Sequence, residues 1–107
     1  MQSGKSFEDI ALSYLQSAGY TLVCRNFRCQ DGEIDLIVRY GELLVFVEVK
    51  GSRYLNPIER IGRRKLKNLV SCIEQYLSKN PHYGDVRLDV ICISAKGLSH
   101  LRGIEID

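Results

Sequence analysis

Asp35, Glu48 and Lys50 are the residues whose types and spacing most directly allow chemistry. They lie in GEIDLIVRYGELLVFVEVKGSR, residues 32–53, where two runs of aliphatic and β-branched residues flank Tyr40-Gly41-Glu42. That pattern predicts a β-hairpin. With Gly41-Glu42 as a two-residue loop and Gly first, as a type II′ turn prefers, Tyr40 faces Leu43 and Asp35 faces Glu48. Glu33 then faces Lys50. The period-2 rule puts Glu48 and Lys50 on one face of their strand and Val45, Val47 and Val49 on the other. Two carboxylates facing each other with Cβ atoms about 5 Å apart repel. A divalent cation such as Mg²⁺ or Mn²⁺ removes the repulsion, because hard cations take one or two carboxylates together with waters and phosphate oxygens. Lys50 would then orient or deprotonate the attacking water. The alternative is a solvated strand face with an ordinary Glu33–Lys50 cross-strand pair.

The elements that must position these residues can be read on either side of the hairpin. Ser6 through Ala18 predicts a helix: Phe7, Ile10, Ala11, Tyr14, Leu15 and Ala18 follow the helical period, Ser6 and Asp9 form a capping box, and Gly19 supplies the stop. Glu8 lies in its first turn, where an acid is favoured by the helix dipole. Residues 20–29 read as the first strand, closed by a turn at Gln30-Asp31-Gly32. With Asp31-Gly32 as the loop, Arg28 faces Asp35 and would hold it ionised; alternatively, Arg25 and Arg28 are exposed positions on an edge strand. Asn56-Pro57-Ile58-Glu59 reads as the start of a second helix, with Asn as N-cap, Pro at N1 and Glu at N3, and Asn80-Pro81 ends it. Residues 86–94 predict a buried strand, with Asp89 a structural acid, and Ile104-Glu105-Ile106 a short edge strand. The order α-β-β-β-α-β with a mixed sheet is an α/β sandwich filling one domain, residues 1–107.

Charge distribution adds a partner. The chain has a net charge of only +2. Residues 50–67 nevertheless carry Lys50, Arg53, Arg60, Arg63, Arg64, Lys65 and Lys67 against Glu59 alone. Arg60, Arg63, Arg64 and Lys67 share one helix face. A basic segment directly after an acidic pair fits contact with a phosphate backbone, although basic helix faces are commonly just solvated. Cys24, Cys29, Cys72 and Cys92 show no CxxC pair and no zinc-ligand spacing, and are expected to be reduced, buried small hydrophobes. His82 and His100 fall in turn-like contexts and argue against a catalytic cysteine. There is no glycine-rich phosphate loop and no GxSxG elbow. No apolar run is long enough to span a bilayer, and the N-terminus lacks the apolar stretch of a secretory signal, so a cytoplasmic protein is expected.

The motif Asp35…Glu48-Val49-Lys50 resembles the D…(D/E)-x-K core of the PD-(D/E)XK nucleases, which share a restriction-endonuclease-like fold. The wider pattern resembles the small bacterial YraN-like proteins, a family related to Holliday-junction resolvases. It comprises Gly4…Glu8-x-x-Ala11…Leu15…Gly19-Tyr20, Arg25-Asn26-Phe27-Arg28, Gly32-Glu33-Ile34-Asp35-Leu36-Ile37 and Val45-Phe46-Val47-Glu48-Val49-Lys50. One departure from the superfamily pattern is Ile34, where Pro usually precedes the Asp. The resemblance implies Mg²⁺- or Mn²⁺-dependent hydrolysis of phosphodiesters in DNA. Asp35, Glu48, the carbonyl of Val49 and Glu8 would hold the cation, and Lys50 would position the water. Lys65 matches a lysine of the YraN-like pattern and is expected nearer the site than the basic face. The resolvase relationship implies a homodimer acting on branched DNA. Two other readings stand beside this one: a nucleic-acid-binding module of the same fold that does not cleave, and a purely structural or protein-interaction domain.

Overall fold

The computed structural model describes residues 6–51 and 62–105. In chain order these form α1 (Phe7–Ser17), β1 (Thr21–Cys29), β2 (Gly32–Tyr40), β3 (Leu43–Gly51), α2 (Arg63–Lys79), β4 (Val86–Ser94) and β5 (Gly97–Leu101). The expected helix start at Asn56–Glu59, and Arg53, Arg60 and Ile106, lie outside the described residues.

Local chemistry sets the limits of α1. The Ser6 hydroxyl accepts the Asp9 N–H at 3.1 Å, satisfying one of the donors a helix start leaves unpaired. Gly19, at φ +99°, turns the chain out, and the N–H groups of Gly19 and Tyr20 reach back to Gln16 O and Leu15 O. That is a Schellman stop, which needs a left-handed residue at this position.

The five strands lie in the order β1-β2-β3-β4-β5. β3 and β4 run parallel with α2 as the crossover, and the other neighbours are antiparallel, so the sheet is mixed. The β2–β3 register is the expected one, from Tyr40↔Leu43 to Leu36↔Val47, and Gly41 has the positive φ of a type II′ first position. The β1–β2 register is not. Cys29 pairs with Gly32 and Arg28 with Glu33, so the loop is Gln30-Asp31 and Arg28 does not face Asp35. Tertiary contacts outweigh local turn preference here. Ser71 donates to the Asp31 carboxylate, Gln75 accepts the Gln30 N–H, and Cys29 is joined to Cys72 in a disulfide with Cα atoms 5.4 Å apart. The disulfide also corrects the expectation of four reduced cysteines. Spacing along one strand could exclude a Cys24–Cys29 bond, but it could not reveal a pair 43 residues apart.

The last strand is a second correction. Gly97–Leu101 pairs with β4, whereas Ile104 only donates its N–H to Leu88 O and packs beneath α2. GLSHL holds two leucines and a histidine that turns inward, which is too weak an apolar pattern to mark a strand.

Each helix covers one face of the sheet. On one side Ala11 and Leu15 of α1 meet Leu36, Val38, Val45, Val47, Ile91 and Ile93. On the other, Leu69, Cys72 and Tyr76 of α2 meet Ile34, Ile37, Leu44, Phe46 and Leu88. β3 is the buried centre and keeps strict alternation, Val45 and Val47 toward α1 and Leu44 and Phe46 toward α2. β2 does not. Ile34 packs under α2 and Leu36 under α1, so alternation fails at the residue between them, Asp35. No helix among the described residues is long and apolar enough to cross a membrane.

Candidate metal centre

The failure of alternation at Asp35 coincides with the end of the β2–β3 ladder, whose last pair is Leu36↔Val47. Where the two strands part, the Asp35 side chain replaces the missing backbone partner: its Oδ2 accepts the Val49 N–H at 2.8 Å. Asp35 and Glu48 are therefore neighbours, as their register required, but set in an opened sheet rather than on a flat strand face.

Two elements, α1 and β2, add acids around this point. One carboxylate oxygen from each of Glu8, Glu33 and Asp35 lies within 4.8 Å of the other two. Glu8 is brought in because Phe7 lays its ring directly on Gly51: a Cβ there would fall 1.9 Å from Phe7 Cδ2. The glycine that follows Glu48-Val49-Lys50 thus docks the first turn of α1 against the end of β3. Glu33, expected opposite Lys50, turns instead toward Glu8. Among the described residues no carboxylate lies within ion-pair distance of Lys50, which neighbours Cys92 in the parallel register.

Asn26 ties the outer acids together. It is the one non-glycine with positive φ among the described residues, at 52°, a region Asn tolerates better than most side chains. With its amide oriented so that the NH₂ faces the carboxylates, which can only accept, Nδ2 lies 2.9 Å from Glu33 Oε2 and 3.2 Å from both Glu8 oxygens. Arg25 reaches the same rim, 2.9 Å from Asp9 Oδ1 and 3.5 Å from Glu8 Oε1.

Glu48 is 3% exposed. Its Oε2 is paired with Lys65 Nζ at 3.1 Å, whereas its Oε1 is enclosed with no partner among the described residues. Burial pushes the Asp35 carboxyl up to about 7; the Val49 N–H opposes this, and the charge of Glu48 and its hydrogen bond raise it further. The Lys65 ammonium loses by burial but gains more from Glu48, and then from the charges of Asp35 and Glu33, so it is held above its usual range. Two carboxylates this close, one resisting ionisation and the other with a buried oxygen that meets no N–H or cation among the described residues, make a site short of positive charge. The donor set is all oxygen, which suits a hard divalent cation. Glu8, Glu33, Asp35 and Glu48 fit that group.

The expected residues thus separate into three sets. Asp35 is the junction, with Glu8 on one side and Glu48 and the Val49 N–H on the other. Lys65 joins them, turned inward from the first turn of α2, and Arg63, Arg64 and Lys67 are exposed at that same helix end. Lys50 is half-buried on β3 and not drawn to an acid. Reading the sequence missed Glu33, which was assigned to a lysine, and Asn26, whose only signal was an Asn interrupting a strand.

Comparison with known proteins bears on the whole chain. Residues 7–93 match the profile described as "Uncharacterised protein family UPF0102". A UPF0102 protein of Thermotoga petrophila is 38% identical over 105 residues, covering 97% of each chain. One from Chloroflexus aurantiacus is 42% identical over 96 residues, 88% of this chain and 80% of its own. Among solved structures, Pyrococcus furiosus SfsA in complex with Ca²⁺ is similar over 94% of this chain and 62% of that one, at 17% identity and a TM-score of 0.39. At that distance the likeness carries no argument about chemistry.

Proposed function

The chain belongs to the uncharacterised family UPF0102, and for this member we propose divalent-cation-dependent hydrolysis of phosphodiester bonds in DNA by a site of PD-(D/E)XK type. The reading rests on one observation above the others. Three carboxylates from α1 and β2 come together where the sheet opens, and Glu48, buried beside Asp35 on β3, has an oxygen that meets no donor among the described residues. Stability alone does not select such an arrangement, since an unpaired buried polar atom costs about 1–3 kcal/mol.

Asp35 and Glu48 would hold the cation from the floor of the site, with Glu8 and Glu33 reaching it from the rim. When bound, a divalent cation supplies charge stabilisation at the phosphoryl oxygens and makes water a better nucleophile. The chain's own residues do the rest. The Val49 N–H fixes the Asp35 carboxylate so that it presents its other oxygen, and Asn26 keeps Glu8 and Glu33 together against their mutual repulsion. Arg63, Arg64 and Lys67 offer positive charge for the backbone of a nucleic acid, contacts that position without reading bases. Lys50, two residues beyond Glu48, is the group on β3 available to orient water or neutralise charge. The resolvase resemblance extends the proposal to branched DNA and a homodimer.

The test is nicking of linear and branched DNA with Mg²⁺ or Mn²⁺. Cleavage should be abolished in Asp35→Ala and Glu48→Gln, with DNA retention at low salt preserved. Retention without any cation-dependent cleavage by the wild type would replace this reading with a non-cleaving nucleic-acid-binding module.

A further inference from the structure

Among the described residues Lys65 is the one cation that touches the floor of the acid site, and it comes from α2, across the sheet from Glu8. Its position on the helix explains nothing. The first turn of α2 has no acid, Gly62 supplies no side-chain cap, and a lysine at a helix N-terminus faces the unfavourable end of the dipole. What holds it is Glu48 Oε2, 3.1 Å away, together with the charges of Asp35 and Glu33. Yet the Lys65 side chain is 49% exposed, while the Glu48 side chain is 4% exposed. One partner is fixed in the sheet; the other can leave for water with little disturbance. A cleft between the β1–β2 turn and α2, lined by Asp31, Gly32, Glu33, Asn68 and Leu69, lies open beside it.

We propose that Lys65 is the site's internal counter-ion: its ammonium occupies part of the charge deficit at Glu48 in the cation-free protein, and a divalent cation must displace it to bind. Lys65 is thus a positioning residue that sets cation affinity by competition. Once displaced into the cleft, its charge is available to an anionic group of the substrate. The inference rests on the cation-site reading above and adds to it a residue outside the Asp-Glu-x-Lys motif, with a defined energetic role.

The same geometry makes two expectations that a merely structural lysine does not. Removing the ammonium removes the competitor, so Lys65→Gln should bind Mn²⁺ more tightly than wild type, by roughly tenfold, or about 1.4 kcal/mol. Removing it also strands the buried Glu48, so the cation-free variant should unfold at a lower temperature. Saturating Mn²⁺ should close that gap, because cation and lysine serve the same carboxylate.

The experiment is calorimetric titration of Mn²⁺ into wild type, Lys65→Gln, Lys65→Arg and Asp35→Ala without DNA, with thermal unfolding of each at zero and saturating Mn²⁺. Tighter binding by Lys65→Gln, affinity near wild type for Lys65→Arg and closure of the stability gap would support the proposal. Binding by Lys65→Gln where wild type binds too weakly to detect would support it more strongly. If wild type binds, Asp35→Ala does not, and Lys65→Gln binds equally or more weakly, the counter-ion role is overturned and the cation site stands. If neither wild type nor Lys65→Gln binds, even with a branched duplex present, the site reading fails and takes this inference with it.

Discussion

Two buried acid centres occupy this sheet, and they are opposites. Asp89, on β4, is fully enclosed and every oxygen is matched. Oδ1 accepts Arg87 Nε–H at 2.8 Å and the Gly103 N–H at 3.0 Å, and Oδ2 accepts Arg87 Nη2–H and His100 Nε2–H, each at 2.7 Å. The ring is closed further out, where Tyr20 accepts from Arg87 and Tyr14 contacts His100 Nδ1. Burial alone would raise the Asp89 carboxyl, but Arg87, His100 and Gly103 outweigh it and hold the group below the usual carboxylate range. At Asp35 the balance runs the other way and burial wins, while beside it one Glu48 oxygen meets no donor among the described residues. A fully satisfied buried acid ties β4 and β5 to each other and, through Tyr14 and Tyr20, to α1 and the chain just after it. An unsatisfied one stands ready for a ligand.

The comparison breaks first on stability, where the largest effect is expected. Asp89→Ala should destabilise the fold by about 3–5 kcal/mol, since it strands Arg87 and the His100 ring in a closed network. Glu48→Gln should cost under about 1 kcal/mol or stabilise, because it removes a buried charge that among the described residues only Lys65 matches. Urea unfolding of the two variants measures both. Equal losses would mean that the two centres are the same kind of structural device.

The two centres should also divide the pH dependence. For Asp35 the folded value, about 7, lies above the usual 3.8, so the folded state holds a proton that the unfolded chain has released. Its contribution is full below about 4 and is lost as pH rises toward 7. For Asp89 the folded value is lowered, so its contribution is present above the unfolded value and is lost as pH falls below it. In urea titrations, Asp35→Asn should flatten the decline between about pH 4 and 7, and Asp89→Asn the decline at acid pH. Mn²⁺ should restore stability most at the alkaline end of the Asp35 window, because it binds the deprotonated carboxylate.

A smaller effect tests what brings the rim to the floor. Gly51→Ala places a methyl group inside the Phe7 ring, so α1 must shift. Overpacking of this kind costs about 1–3 kcal/mol. Mn²⁺ affinity should fall several-fold with it, through Glu8, whereas the Asp89 network should be untouched. An unchanged affinity would remove Glu8 from the cation's donors.

How much of this was legible depended on the range of the interaction. The alternation of β3, the register set by Gly41-Glu42 and the Schellman stop at Gly19 are consequences of a few neighbouring residues, and all were read correctly. The Asp35–Glu48 pairing followed from them. Everything that failed was decided across the fold. The Gln30-Asp31 loop is set by Ser71, Gln75 and Cys72 of α2, forty or more residues on; the last strand by its pairing with β4; and Glu33 by a helix whose docking hangs on one glycine. The pattern Glu33-x-Asp35 looks like two acids on one face; that the strand opens there is a property of the whole sheet.

Asn26 offers the finest separation of structure from site. Its left-handed backbone would cost a β-carbon residue about 1 kcal/mol, and its amide offsets the repulsion between Glu8 and Glu33. Asn26→Gly keeps the backbone and deletes the amide, whereas Asn26→Ala deletes both. If the amide's role lies at the cation site, the two variants should lose Mn²⁺ affinity by the same factor, about two- to fivefold, while Ala loses more stability than Gly. The sign of the affinity change carries the argument. An amide that merely relieved repulsion would be redundant once a cation was bound, and its loss would tighten binding. An amide that holds Glu8 and Glu33 at the spacing the cation needs would weaken binding when removed, and that weakening is the expected result.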